Sequence, residues 1–125
     1  MRLFILGHIP SKKNLLKRSK HGGMFRDAKV SKKIDALTMQ AKSQWIGKTP
    51  LNRPEMNVMF YVRDQRSDCD NKLTTILDCL HAAGVIVNDN IKHGPAPVTY
   101  DWLMAHDEAV AINLIERNHA KTDRD

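Results

Sequence analysis

Long apolar runs are missing from this sequence. None of its 125 residues lies in a stretch approaching the roughly 18–20 apolar positions of a membrane span, so no membrane partner is expected. Cysteine is scarce. Cys69 and Cys79 stand ten positions apart with neither a CxxC nor a zinc-ligand spacing, which points to reduced thiols. There is no internal repeat and no low-complexity tract. Acid is almost absent from the first third, where Asp27 is the only carboxylate between Lys12 and Lys33, against nine Lys or Arg. The opening run Met1–His8 is too short for a signal segment and no small-residue cleavage site follows it. A first β-strand and a soluble cytoplasmic protein are the expectation.

The length fits one domain, read as residues 1–117, with a charged tail, 118–125, that is expected to fray. The formal charge of +6 and pI near 9.5 argue for an acidic partner, nucleic acid above all. The positive charge is concentrated early: Lys12, Lys13, Lys17, Arg18, Lys20 and Arg26 precede or flank Gly22-Gly23, which breaks the region as a loop or hairpin tip. Such a segment reads either as a solvated surface or as a loop that contacts phosphates.

Periodicity supplies the elements. Arg2–Ile9 reads as a strand with apolar residues on both faces, hence a central, covered one. Val30–Gly47 reads as a helix with Ile34, Leu37, Ala41 and Trp45 on one stripe, capped by Ser31 or, as a competing start, Asp27. Trp45 shares that stripe and so reads as a core anchor. Glu55–Arg63 alternates as a second strand, with its methionines as core filler. Asp70–Ala83 is a second helix, with Leu73, Ile76, Leu77 and Leu80 at i, i+3, i+4 and i+7 and Gly84 at its end. Val98–His106, with Tyr100, Trp102 and Met104 on one side, and Glu108–Glu116 complete the set. The expected class is α+β: a single domain, a mixed β-sheet with two α-helices packed on it.

The chemistry centres on Asp68-Cys69-Asp70-Asn71, where the second strand gives way to the second helix. In extended chain, residues two apart face the same way with about 7 Å between side-chain roots, so two carboxylates can converge on a hard cation. Mg²⁺ suits one or two carboxylates plus waters and phosphate oxygens. Without a cation the pair would repel. Asp89 follows the helix, and spacing alone leaves open whether it returns to the same end. The bland alternative makes Asp68 and Asp70 helix caps and Asp89 a turn former.

Asp68-x-Asp70-Asn71, followed by Asp78-x-Leu80, Gly84 and Asn88-Asp89, resembles the core signature of the RusA family of Holliday junction resolvases. Pro10-Ser11-Lys12-Lys13-Asn14 is similar to that family's N-terminal segment. The resemblance implies a RusA-like dimeric fold, with Asp68, Asp70 and Asp89 as catalytic and metal-binding residues for Mg²⁺ or Mn²⁺. It implies a homodimer that nicks two strands of a four-way DNA junction in recombination and repair, without an organic cofactor. Two departures stand out. One carboxylate of the family's second acidic pair is Asn88 here, and the family's lysine falls at Thr74. Lys72 is a possible catalytic cation, though about 200° around the helix from Thr74; Lys12, Lys13 or Arg66 can supply the charge instead. Arg66 also joins the expected DNA-binding set. Asp78, about 80° from Asp70, is a possible outer-sphere acid that orients a ligand or water, or else a solvated helix acid. A nucleic-acid-binding module that has lost catalysis, and a phosphohydrolase of smaller esters, are the alternatives.

Overall fold

The computed structural model describes residues 1–11, 16–18, 24–64, 68–90 and 94–117; of 16–18 and 24–26 it describes the backbone. The elements are β1 (Arg2–Leu6), β2 (Leu16–Arg18), β3 (Met24–Arg26), α1 (Ala28–Gln44), β4 (Glu55–Val62), α2 (Cys69–Ala82), β5 (Val98–Met104) and β6 (Ala109–Ile115). Four strands form one mixed sheet in the order β1-β6-β4-β5, and β2 and β3 form an antiparallel pair. β4 and β5 run parallel because α2 carries the chain back between them; the other pairings are antiparallel. The expected α+β class, with a mixed sheet and two helices, is what the chain adopts.

Both helices cover one face of the sheet. Leu37, Ala41 and Trp45 of the first stripe are buried, and so are Ile76 and Leu80 of the second, against Phe60, Met56, Ile112 and Leu114. Trp45 is the core anchor its spacing predicts, with its indole N–H donating to the Thr49 carbonyl at 3.1 Å. The competing start of α1 is the one used: Asp27 accepts from the amides of Lys29 and Val30. α2 begins one residue early, at Cys69, with Asp68 as its cap. Gly84, at φ +78°, turns the chain out of α2, and Leu51 pairs with Ile86 as a parallel bridge beyond it.

β1 corrects the sequence expectation. It is an edge strand paired with β6, not a central one, and Phe4 and Leu6 lie on the uncovered face, 49% and 60% exposed. Its two-faced apolarity is real, but only Leu3 and Ile5 enter the core. The outer edge of β1 is closed by side chains of α1. Gln44 donates to the Phe4 carbonyl and accepts its N–H, and Gln40 does the same for Leu6, at 2.8–2.9 Å. Two primary amides thus stand in for a neighbouring strand.

Candidate functional site

α2 begins where β4 ends, and this junction holds both carboxylates of the central motif. Asp68, as N-cap, takes the Asn71 N–H on Oδ1 at 3.3 Å, and the Asn71 side-chain amide donates to Oδ2. Asp70 lies in the first turn and is exposed. Its Oδ1 accepts the hydroxyl of Tyr100, which reaches across from β5 and stacks edge-on against Phe60 at 6.1 Å. The hydrogen bond to Asp70, and after it burial and the Asp70 charge, hold the Tyr100 phenol above its ordinary range. Cys69, between the two acids, faces inward. Burial raises its thiol, the acids add to that, and the nearby Lys72 charge only partly offsets it.

The remaining expected residues are distributed as follows. Lys72 is only 6% exposed, turned into the molecule, where its charge bears on Cys69 and Glu108. Thr74 is exposed on the opposite flank, with its hydroxyl 3.5 Å from the Asp70 carbonyl. The 200° separation read from the sequence therefore holds, and Lys72 does not share Asp70's surface. Asp78 is half-buried two turns further on. Asp89 lies 3.7 Å from His81 Nδ1, at the far end of α2. Eleven residues separate His81 from Asp70, about 16 Å along the axis. Asp68 and Asp70 both stand at the start of α2, but the helix begins at Cys69, so the extended-chain spacing that would point their carboxylates the same way is absent, and Asp89 lies at the other end of the helix. Among the described residues no three acidic, histidine or cysteine side chains form a group that could hold a metal ion. Lys12, Lys13, Lys20 and Arg66 lie outside the described residues, and Lys17, Arg18 and Arg26 fall on β2 and β3, where the backbone alone is described.

Two features escaped the sequence. Tyr100 was assigned to one side of its strand, but alternation carries no sign that its hydroxyl meets Asp70. The second is a polar cluster at the same end of the sheet. His8 Nδ1 lies 2.5 Å from Glu108 Oε2, and the Arg63 amide lies 3.5 Å from Oε1. Arg63 itself is fixed by its Nε donating to the His106 carbonyl at 2.6 Å. These groups line a cavity of about 450 Å³ with Leu6, Gly7 and Asp107. Burial pushes the Glu108 carboxyl up. The hydrogen bond and charge of His8, helped by Lys72 and the Arg63 amide, outweigh that and hold it below the ordinary range. Since His8 and Glu108 are a hundred positions apart, no local pattern announces the pair.

The donors at the α2 N-terminus are of the type a hard cation takes, two exposed carboxylates beside helix amides, although both Asp68 oxygens and one of Asp70 already accept hydrogen bonds from Asn71 and Tyr100. No protein-family model matches the chain, and no curated protein matches it significantly.

Proposed function

We propose that the chain is a metal-dependent endodeoxyribonuclease of the RusA type that acts on branched DNA as a homodimer. The observation that carries this reading is that two exposed carboxylates, Asp68 and Asp70, stand at the start of α2 in a chain with formal charge +6. In this reading Asp68 and Asp70 hold Mg²⁺ or Mn²⁺. When bound, such a cation supplies an activated water and neutralises charge on the scissile phosphate. Tyr100 occupies one oxygen of Asp70 and so orients the other. The basic first third, Lys12 to Arg26, tracks the phosphate backbone, with recognition by junction shape rather than base sequence. The positive charge of the site falls to Arg66, Lys12 or Lys13, because Lys72 is turned inward. Asp89, beside His81, stands apart from Asp68 and Asp70 in the single chain.

That separation of Asp89, together with the inward Lys72, favours a second reading: a branched-DNA-binding module of the same fold whose catalysis is weak or lost. Incubating a labelled four-way junction and a matching linear duplex with the protein and Mg²⁺ or Mn²⁺ separates the two. Paired symmetric nicks support the nuclease; binding without nicks supports the module. Indifference to both DNAs removes both readings and leaves hydrolysis of a smaller phosphate ester. Asp70→Asn is expected to abolish nicking with junction binding retained, and normal cutting by that variant would end the assignment.

A further inference from the structure

The cavity beside His8 and Glu108 is framed where three strands meet their ends. One step past the β1–β6 ladder, the Gly7 amide donates to the Glu108 carbonyl at 2.9 Å. Gly7 stands at φ +112°, which costs glycine little and an L side chain much, and there the chain leaves β1 with His8 against Glu108. Arg63, the residue after β4, supplies the third side. Its amide lies 3.5 Å from Glu108 Oε1, and its Nε donates to the His106 carbonyl at 2.6 Å. The imidazole and the guanidinium that line these 450 Å³ are therefore each tied to the framework at one nitrogen.

The pair of His8 and Glu108 has a defined polarity. The Glu108 side chain is 16% exposed and that of His8 49%. Burial raises the Glu108 carboxyl, but the His8 hydrogen bond and charge, with Lys72 and the Arg63 amide, outweigh it and keep the group ionised. An ionised carboxylate only accepts, so His8 Nδ1 is the donor across the 2.5 Å contact. Nε2 is then the ring nitrogen left for a ligand, and the carboxylate behind the ring fixes the orientation in which it is presented. On Arg63, Nε is spent on the His106 carbonyl, so a ligand meets the Nη groups.

A ring nitrogen and a guanidinium lining one cavity suit an oxyanion that accepts from two directions. The tetrahedral oxygens of a phosphate do so, whereas a planar carboxylate is already served by the guanidinium fork alone. Charge limits the ligand further. Among the described residues, Asp107 and Glu108 stand against Arg63 and a protonated His8, with the Lys72 charge acting on Glu108. That balance admits one anionic group and offers no extended cationic track. We propose that this pocket binds a single phosphate group, with His8 Nε2 and the Arg63 Nη groups as donors and Glu108 as the positioning residue for the ring. The chain from Arg63 to Asp68 spans at most about 18 Å. A phosphate held in the pocket is thus within about five nucleotide steps of Asp68, at roughly 3.4 Å per step. Holding a strand in register at that distance would serve the proposed function, but the site needs neither a metal nor cleavage.

Titrating the full chain with inorganic phosphate, while following the imidazole nitrogens of His8 and the guanidinium nitrogens of Arg63 by NMR, decides it. Both sets of resonances are expected to move together and to saturate at roughly millimolar phosphate, and acetate at equal ionic strength to move neither. His8→Gln and Arg63→Gln, checked for folding by circular dichroism, should each weaken phosphate about tenfold. Glu108→Gln should weaken it less and should also lose the single Nδ1–H tautomer of His8, because an amide can either donate or accept. A mononucleotide that competes as well as phosphate assigns the site to a terminal phosphate; a short single-stranded oligonucleotide that competes better assigns it to a phosphate within a chain. Resonances that ignore phosphate, equal shifts with acetate, or unchanged affinity in both His8→Gln and Arg63→Gln would each overturn the proposal. The acetate comparison needs no variant, and none of these outcomes bears on whether the chain cuts DNA.

Discussion

Asp70 meets a donor from each side of its own backbone: the Tyr100 hydroxyl on its carboxylate and the Thr74 hydroxyl at its carbonyl. On the proposed reading, Tyr100 is a positioning residue for a metal ligand, and its loss lets the carboxylate turn. Tyr100→Phe is expected to weaken Mn²⁺ binding by about tenfold, measured by calorimetric titration, with the fold unchanged because the ring and its contact with Phe60 remain. Glu108 makes a second prediction that needs no metal. Its carboxyl is held below its unfolded value. It therefore adds stability that is full above the unfolded value, near 4.5, and is lost as pH falls through the lower folded value. Urea midpoints should accordingly drop more steeply on acidification in the wild type than in Glu108→Gln. The difference is of order 1 kcal/mol or less, since His8 is half exposed. Equal slopes would show that the His8–Glu108 contact does not persist in solution.

At the scale of elements, the sheet edge closed by α1 is the feature with the clearest mechanical consequence. Gln40 and Gln44 sit one turn apart on α1 and supply four hydrogen bonds to the backbone of β1. Replacing both by alanine leaves those groups to water, so the thermodynamic cost is modest, about 1–2 kcal/mol in chemical denaturation. The larger effect is kinetic: the opened edge presents a strand whose outward residues include Phe4 and Leu6, and light scattering on warming should rise well before that of the wild type. An unchanged scattering onset would show that the glutamines are incidental. The same strand shows why its central position was misjudged from sequence. Apolar residues on both faces of β1 do not distinguish a strand covered on both sides from one with an uncovered face.

For the whole molecule, the distribution of charge matters more than its total. Among the described residues acid stands at the α2 junction, while the sequence before α1, largely outside the described residues, is basic. If that segment tracks DNA phosphates, the logarithm of the junction affinity falls linearly with the logarithm of salt concentration, by roughly one unit of slope per contact. Neutralising Lys17 and Arg18 together should then reduce the slope by about two in filter-binding or anisotropy titrations. An unaltered slope would move the DNA surface elsewhere on the chain.

The periodic elements were legible in the sequence because their cause is local. The spacings of Ile34 to Trp45 and Leu73 to Leu80 demand amphipathic helices, and the alternation of Met56 to Val62 demands a strand with one buried face. Asp27 and Asp68 could be read as caps for the same reason, since a cap meets amides two or three residues on. Tertiary structure alone decided everything that joins distant segments. Insertion of β6 between β1 and β4 put β1 at an edge and brought Glu108 to His8. The parallel return of β5 put Tyr100 on Asp70. The inward turn of Lys72 and the placing of Asp89 beside His81 followed from which flank of α2 packs on the sheet and where the chain leaves its far end. Spacing along the chain carries the angle around a helix or the face of a strand, but not the direction from which another segment arrives.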